Sequence, residues 1–471
     1  MSLSIRIVSV ETREQMVHTR MPFRFGDAKL VSCPHLYLTA TIQDAQGRTA
    51  RGVAADHLMS RWFDKNPEKT PEEQLEDQRQ VIAWSREAAL QAGPASPFDL
   101  WLNIYRSIQG QAERSGLPAL LGGFGPSLVE RAMNDAVGRL LGLPFHALLR
   151  GDALGIDLGA LDSSLQGIHP ADLIPARPLD TVAVRHTVGL SDFVRTADIP
   201  DDDRVEDGLP QSLEEVIDFY GVRYFKLKVA NRGAEDVDHL SAVAAVLDAK
   251  LGDRSYYCTL DGNEQYPSME ELLPLLEALW TRPDLNRLAR SLIFLEQPIA
   301  RSAALDADRM KGLDRIVERT PVIIDESDAD LSSFPRALEL GYSGTSHKSC
   351  KNTFKGLANI ARARRWEAAT GRPVILSAED LTTLAPISLQ EDLAALSALG
   401  ITHAERNGHH YFRGLSHLSH EAQIQCFHAQ PELYCDDGEL VRLNIRDGNL
   451  DCSGLHRMAG LGVGTLPLLE V

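Results

Sequence analysis

The segment YFKLKVA, residues 224–230, is the clearest member of a repeated pattern of short apolar strand, polar loop and amphipathic helix. The predicted strands are, in chain order, VAVRHTVGL, YFKLKVA, YYCTLD, LIFLEQP, PVIIDE, GTSHK, PVILSAE and ITHAER. Eight such units with short connections indicate parallel strands, because each return to the sheet needs a crossover. A closed eight-stranded (β/α) barrel is the simplest arrangement. The alternative, an open doubly wound sheet, is disfavoured because no glycine fingerprint follows the first strand.

Around this pattern the chain divides into four parts. Residues 1–150 predict a smaller α+β domain of strands followed by helices. Residues 151–180, rich in Gly, Asp and Pro, predict a connecting or inserted segment, and residues 181–425 form the barrel. Within the barrel, the acidic stretch 196–212 predicts an exposed loop or a lid. Residues 426–471 contain a predicted hairpin, from which the chain returns to the first domain.

One helix of the first domain carries a distinct start signal. In the segment PSLVERAMNDAVGRLLGLPFHALL, Ser127 and Glu130 have the spacing of a capping box. We therefore expect the helix to begin at Ser127.

Composition excludes several classes of partner. The net charge of −18 argues against binding to nucleic acid or to an anionic membrane, because both attract clustered Lys and Arg. None of the six cysteines forms a C-x-x-C pair, so neither a zinc cage nor a disulfide framework is expected. The start, MSLSIRIVSVETRE, has no apolar signal region, and no stretch of eighteen apolar residues occurs. We therefore expect a cytoplasmic protein.

Three carboxylates end consecutive predicted strands. Asp261, Glu296 and Asp325 are 35 and 29 residues apart (261 to 296 to 325), about one strand–helix unit each. The carboxyl ends of parallel barrel strands meet on one rim, where three unneutralised carboxylates would repel one another. One Mg²⁺ ion, with Mn²⁺ as a substitute, would resolve the repulsion, and zinc is disfavoured because no His or Cys shares these positions. For a single carboxylate, a helix N-cap or a solvated loop end is the alternative.

Lysines flank these carboxylates along the chain. Lys226 and Lys228 are two apart on the second strand, so their side chains point to the same side. Lys348 ends the sixth strand, four positions away in a ring of eight and hence opposite. Two adjacent lysines lower each other's pKa, which prepares one of them as a base. The alternative is that K-x-K marks an exposed strand edge.

The segments YFKLKVA, CTLDGNE, FLEQP, VIIDES and SHKSCKN, in this order, resemble the enolase superfamily. More narrowly, they are similar to its muconate-lactonizing-enzyme subgroup, within the mandelate racemase/muconate lactonizing enzyme family. The resemblance implies a TIM-type barrel of modified (β/α)7β form, with an N-terminal capping domain completed by the C-terminal segment. It implies that Asp261, Glu296 and Asp325 bind Mg²⁺. It also implies that Lys228, supported by Lys226, is the base on one face of the substrate, with Lys348 the acid or base on the other.

Further polar residues lie near these motifs. Glu326 is expected either to hydrogen-bond around the metal or to cap the following helix. Lys351 is expected either to contact the substrate carboxylate or to remain solvated. Arg24 is expected either to bind an anionic group of the substrate or to belong to an ordinary turn. The residues predicted to contact substrate are Arg24, Asn263, Lys351, Glu379, Asp380 and Asn407.

The resemblance implies a small carboxylate-bearing substrate that loses its α-proton to a lysine, giving an enediolate stabilised by the metal. A lysine on each face favours a racemase or epimerase. A dehydratase or cycloisomerase acting on an acid sugar or related carboxylate through the same intermediate is the alternative. A non-catalytic, metal-dependent acid-binding protein is a second alternative. The family also implies a homo-oligomer.

Overall fold

The computed structural model describes residues 2–25 and 28–464, and for residues 24, 25 and 28 it describes the backbone alone. The predicted substrate contact of Arg24 therefore lies outside the described side chains. The described strands are β1 (Ile5–Phe25), β2 (Ala28–Asp44), β3 (Thr49–His57), β4 (Thr181–Val188), β5 (Tyr224–Lys228), β6 (Tyr257–Asp261), β7 (Leu292–Glu296), β8 (Val322–Ile324), β9 (Gly344–His347), β10 (Ile375–Ala378), β11 (His403–Arg406), β12 (Tyr434–Asp436), β13 (Val441–Leu443) and β14 (Asn449–Asp451).

The described α-helices alternate with these strands over most of the chain. They are α1 (Pro71–Gln91), α2 (Pro97–Arg114), α3 (Ala119–Gly122), α4 (Phe124–Leu141), α5 (Phe145–Arg150), α6 (Pro170–Leu173), α7 (Leu213–Tyr220), α8 (Ala234–Leu251), α9 (Met269–Thr281), α10 (Asn286–Arg290), α11 (Leu313–Val317), α12 (Ser333–Leu340), α13 (Thr353–Thr370), α14 (Ile387–Leu399), α15 (Gly408–Tyr411) and α16 (His420–Ala429). None of the helices in the described part of the chain is long and apolar enough to cross a membrane.

The first domain is an antiparallel sheet, ordered β1-β2-β3, with helices packed on it. Helix α1 begins at an N-cap, Thr70, whose side chain accepts the Glu73 N–H while the Glu73 side chain accepts from Thr70 N. Helix α4 is buried almost all round, and β3 approaches it closely. A Cβ at Gly52 of β3 would lie 2.2 Å from Ala132 O, so only glycine allows this approach.

The capping box predicted for α4 is wrong. The helix begins at Phe124, and Ser127 donates to Phe124 O within it. Glu130 accepts instead from the backbone N–H groups of Thr353 (3.0 Å) and Phe354 (2.7 Å), the first residues of α13. The carboxylate thus caps a helix of the barrel, and it joins the two domains.

The second part is the predicted barrel. Eight strands pair in parallel in the order β10-β9-β8-β7-β6-β5-β4-β11, and β10 and β11 at the two ends of this path lie next to each other. The order runs round the ring with the chain and never reverses, which excludes the open doubly wound sheet. In β5, Phe225 and Leu227 alternate with Lys226 and Lys228, and all four are buried.

The segment after the barrel contacts both domains. Strand β14 pairs antiparallel with β4, on the barrel. Further on, Gly460 N donates to Leu143 O (2.9 Å) and Leu461 N to Asp135 Oδ1 (2.9 Å), which places this part of the chain against the end of α4. Gly460 has φ +76°, and a Cβ there would meet the Asp135 carboxylate.

The acidic segment 196–212 is fixed to the first domain by a single arginine. Arg20 of β1 donates to both Asp207 oxygens (2.5 and 2.8 Å) and to the carbonyl oxygens of Leu209 and Pro210 (3.1 Å each). The Arg20 side chain is almost fully buried by these contacts. The segment therefore packs against strand β1.

Candidate active site

A cavity of about 820 Å³ lies between the carboxyl ends of the barrel strands and a loop of the first domain. That loop, here called the cap loop, comprises residues 58–67 between β3 and α1. The residues predicted for the site that line the cavity are Lys226, Lys228, Asp261, Asn263, Asp325, Glu326, Lys348, Glu379, Asp380 and Asn407. The site therefore occupies the rim on which barrel enzymes place their catalytic groups.

Lys226 lies at the centre of the acidic groups. Its Nζ is 2.6 Å from Glu379 Oε1, 2.9 Å from Asp261 Oδ2, 3.0 Å from Glu405 Oε2 and 3.3 Å from Glu296 Oε1. Burial acts to lower the pKa of Lys226, but these four carboxylates raise it well above its ordinary value. The lowering that we expected from a neighbouring lysine is therefore wrong for Lys226.

Lys228 and Lys348 line the cavity from β5 and from the end of β9, strands that are four apart in the ring of eight. Lys228 Nζ binds Asp261 Oδ2 at 2.5 Å, and Lys348 Nζ binds Asp325 Oδ2 at 2.8 Å. Lys348 Nζ also lies 4.5 Å from the centre of the Trp62 ring, which belongs to the cap loop. An ammonium over an indole face is attracted by the ring. The two lysines thus face the cavity from β5 and from the end of β9.

The carboxylates at the strand ends lie close together. Among the described residues, Glu296, Asp325 and Glu379 each have an oxygen within 4.8 Å of the others, and all three side chains are buried. Glu296 Oε2 and Glu379 Oε2 accept no hydrogen bond from the described residues. Burial, followed by the nearby Glu379 charge, raises the pKa of Glu296 well above its ordinary value. Buried carboxylate oxygens without a donor are suitable ligands for a hard divalent cation, so these residues fit Mg²⁺.

Asp261 differs from Glu296 in that both of its carboxylate oxygens accept hydrogen bonds. Both lysines of β5 bind its Oδ2, and Asn263 N donates to its Oδ1 at 2.8 Å. Asn263 has φ +43°, which is unusual for a non-glycine residue. The structure thus brings Asp261 onto the same rim, with both oxygens already engaged.

Asp325 is held from behind by a second lysine. Lys351 Nζ donates to Asp325 Oδ1 (2.6 Å), to Asp325 O (2.6 Å) and to Ser346 O (3.0 Å). Burial acts to raise the pKa of Asp325, but Lys348 and Lys351 hold it well below its ordinary value. The structure places the Lys351 ammonium on Asp325 rather than in the cavity, where substrate contact had been predicted.

Glu326 is buried at the edge of the cavity. Burial, with smaller effects of Asp325 and Glu264, raises the pKa of Glu326 to about 7. Its Oε2 accepts no hydrogen bond from the described residues. This oxygen is thus available to the cavity.

Residues of the seventh and eighth strands complete the floor. Asp380 accepts from Arg406 Nη1 (3.2 Å) and Thr382 N (2.8 Å), and Asn407 Nδ2 donates to Glu405 Oε1 (3.0 Å). Each of these groups has a partner within the protein.

Neither Glu405 nor Arg185 was predicted as a partner of the charged groups of this floor. Glu405, at the end of the strand ITHAER, lines the cavity and binds Lys226. Arg185, fully buried in β4, donates to Ser377 Oγ (2.8 Å) and to Glu379 Oε1 (3.2 Å). The strand-end criterion that selected Glu296 also applies to Glu405, and a lone arginine in the apolar strand VAVRHTV is a similar signal.

The cap loop is attached to the barrel by three residues, here called the Arg301 clasp: Arg301, Glu264 and Lys65. Arg301 Nε and Nη2 donate to Glu264 (2.9 and 2.8 Å), and Arg301 Nη1 donates to Trp62 O (2.8 Å). Lys65 of the loop pairs with the same Glu264 carboxylate. The clasp was not predicted, because nothing in the sequence relates these three separated residues.

Comparison with known proteins adds fold-level information. No family model and no curated protein matched the sequence. A mandelate racemase/muconate lactonizing protein from Herpetosiphon aurantiacus superimposes with a TM-score of 0.60 at 16% identity, covering 97% of this chain and 98% of that chain. This chain has the mandelate racemase/muconate lactonizing enzyme fold.

Two further structures of this fold were solved with ligands. The dipeptide epimerase from Enterococcus faecalis V583, complexed with Mg and L-Leu-L-Tyr, has a TM-score of 0.60 at 15% identity, covering 97% of this chain and 99% of that chain. The muconate lactonizing enzyme from Pseudomonas fluorescens, complexed with muconolactone, has a TM-score of 0.57 at 18% identity, covering 99% and 98%. The predicted barrel with its small first domain is thus confirmed.

Proposed function

We propose that the protein is a Mg²⁺-dependent enzyme of the enolase superfamily that removes the α-proton of a small carboxylate substrate, as a racemase or epimerase. The observation that supports this proposal is that Lys228 and Lys348 line one cavity with buried carboxylates and come from β5 and from the end of β9, strands four apart in the ring of eight. A substrate between them would expose one face of its α-carbon to each lysine.

The residues proposed to hold the metal are Asp261, Glu296 and Asp325. When bound there, Mg²⁺ would supply the positive charge that stabilises negative charge developing on the substrate carboxylate. Lys351 would keep Asp325 ionised and fixed from behind, through its contacts with Oδ1 and the backbone.

The lysines would exchange protons with the substrate. Lys228, as the neutral amine, would accept the α-proton on one face, and the Lys348 ammonium would deliver a proton on the other. Lys226 remains charged among its four carboxylates, so its role is to hold them in place. Trp62 covers Lys348 and would exclude water from that side of the cavity.

Other reactions begin with the same proton transfer. A dehydratase would next expel a β-substituent, and a cycloisomerase would close or open a ring. The similar structures include both an epimerase and a muconate lactonizing enzyme, so they do not choose between these outcomes. Asp380 is taken by Arg406 and Glu405 by Lys226, which disfavours a dipeptide, whose α-ammonium group would need a carboxylate.

A panel of acid sugars and N-acyl amino acids, incubated with the protein and Mg²⁺ in D₂O, tests the proposal. We expect NMR to show deuterium at the α-carbon of at least one acid, and a chelator to stop the exchange. If no acid that binds exchanges its α-proton, the proposal is contradicted and a non-catalytic acid-binding protein is favoured.

A further inference from the structure

Glu379 combines one fixed oxygen with one free oxygen. It follows Ala378 at the end of β10, the seventh barrel strand. Its Oε1 accepts from Lys226 Nζ (2.6 Å) and from Arg185 Nη2 (3.2 Å). Its Oε2 accepts no hydrogen bond from the described residues, although Lys348 Nζ lies 3.2 Å from it. Two cations thus hold the carboxylate by Oε1, and the Lys348 ammonium lies near Oε2 without a hydrogen bond to it.

The carboxylates that surround Glu379 bear on its role. Glu379 belongs with Glu296 and Asp325 to the cluster whose ligand atoms lie within 4.8 Å of one another. Glu296 Oε2 is likewise buried and accepts no hydrogen bond from the described residues, although Lys226 Nζ lies 3.3 Å from it. Buried carboxylates side by side repel one another, and a divalent cation between them would remove the repulsion.

Asp261 offers a contrast on the same rim. Its Oδ2 is shared by Lys226 (2.9 Å) and Lys228 (2.5 Å), and its Oδ1 accepts from Asn263 N. Glu379 therefore has one oxygen that accepts no hydrogen bond from the described residues, whereas both oxygens of Asp261 accept one.

We propose that Glu379 is a metal ligand of this site through Oε2, and that Arg185 is the positioning residue that holds its carboxylate. The inference rests on the metal of the proposed function, and it adds a ligand from the seventh strand. A carboxylate oxygen is the ligand type that Mg²⁺ prefers. The lone arginine in β4 would then hold Glu379 through Oε1, the oxygen that is not the proposed ligand atom.

Mn²⁺ binding to the full chain tests this inference without any substrate. Electron paramagnetic resonance would give the affinity, and proton ENDOR would count the water molecules bound to Mn²⁺. We expect Glu379→Gln to weaken Mn²⁺ binding by at least about tenfold, since even an outer partner of a ligand contributes that much. We also expect it to gain an inner-sphere water, which loss of a partner outside the coordination sphere would not cause.

Glu391→Gln is the matched control. Glu391 is a buried glutamate of α14 that pairs with Arg131, and it belongs neither to the cavity lining nor to the cluster. Its replacement should leave both the affinity and the water count as in the wild type. If Glu379→Gln unfolds, Glu379→Asp keeps the charge for Arg185 but shortens its reach, and the same weaker binding is expected.

Wild-type affinity and water count in a folded Glu379 variant would overturn this inference alone. Equal losses in the Glu379 and Glu391 variants would also overturn it, because they would indicate a general effect of removing a buried charge. A wild-type protein that binds no Mn²⁺ would overturn both this inference and the proposed function.

Discussion

The barrel rim and the cap loop build the same cavity by different means. On the rim, the ionic groups extend from short parallel strands, so the backbone hydrogen bonds of the sheet fix each one. Lys226 and Glu296 are 2% and 1% exposed, and each has more than one charged neighbour. The cap loop instead depends on side chains, since Arg301 holds the carbonyl groups of Trp62 and Phe63.

This difference indicates that the rim and the cap loop have separate functions. Proton transfer requires groups held to a fraction of an ångström, and strands provide that rigidity. Admission and recognition of a substrate need a part that can open, and a loop attached by one clasp can do so. Changes on the rim should therefore affect the chemical step, whereas changes in the clasp should affect binding.

Metal removal should have the largest effect. Treatment with a chelator is expected to abolish α-proton exchange, and added Mg²⁺ to restore it, because the carboxylate cluster lies on the rim. Far-UV circular dichroism should stay unchanged, since the sheet of the first domain does not contribute to the cluster. Full exchange in the metal-free protein would contradict the assignment of the rim.

Replacing either of the two lysines, Lys228 or Lys348, should have the second-largest effect on the reaction. Lys228→Ala and Lys348→Ala should each lower kcat by about 10²- to 10⁴-fold, the usual contribution of a general acid or base. Lys250→Ala is the control, because Lys250 pairs with Asp218 on the surface. Steady-state kinetics on the acid identified by exchange would measure this. Wild-type turnover in both site variants would exclude lysine chemistry.

A histidine packed between the two domains should make the stability of the protein pH-dependent. His57 of β3 stacks on Phe412, and burial lowers its pKa from 6.5 to about 3. Between these values the unfolded chain binds a proton that the folded protein does not, so stability falls as the pH drops below about 6.5. The free energy of unfolding falls by up to about 1.4 kcal/mol for each pH unit below 6.5. At pH 5 the total loss is about 2 kcal/mol.

Urea unfolding of the wild type and of His57→Gln at pH 7.5 and pH 5 would measure this effect. The stability of the variant relative to the wild type should increase at the lower pH. A difference that is the same at both pH values would show that His57 is not buried as described.

The clasp should have the smallest effect. Arg301→Met should raise KM about tenfold and leave kcat within about twofold. Without Arg301 the substrate would have to order the cap loop on binding, which would weaken the binding free energy by roughly 1.4 kcal/mol. Arg79→Met is the matched control, because Arg79 forms a similar two-bond pair with Glu14 on the surface of the first domain. A fall in kcat at unchanged KM would place Arg301 in the chemistry instead.

The residues of the rim could be predicted from the sequence because each of them is marked by its immediate neighbours along the chain. A charged residue at the end of an apolar strand must lie at the carboxyl edge of the barrel, which identified Lys226, Asp261, Glu296, Asp325 and Lys348 as neighbours. The same reasoning could not tell that Lys351 turns to Asp325. That choice depends on the distances between side chains in three dimensions.

The contacts between domains could not be predicted for the same reason. Glu130 has the spacing of a local capping box, but it caps α13, more than two hundred residues further on. The Arg301 clasp joins three loops with no common pattern. In both cases a tertiary contact determines which partner a charged side chain takes.

The most direct test of proton abstraction between two facing lysines is α-proton exchange in D₂O, with each enantiomer of a substrate and with each lysine variant. The wild type should exchange the α-proton of both enantiomers in the presence of Mg²⁺. Lys228→Ala should exchange one enantiomer only, and Lys348→Ala only the other. Exchange of both enantiomers by both variants would contradict the placement of the two lysines on opposite faces of the substrate.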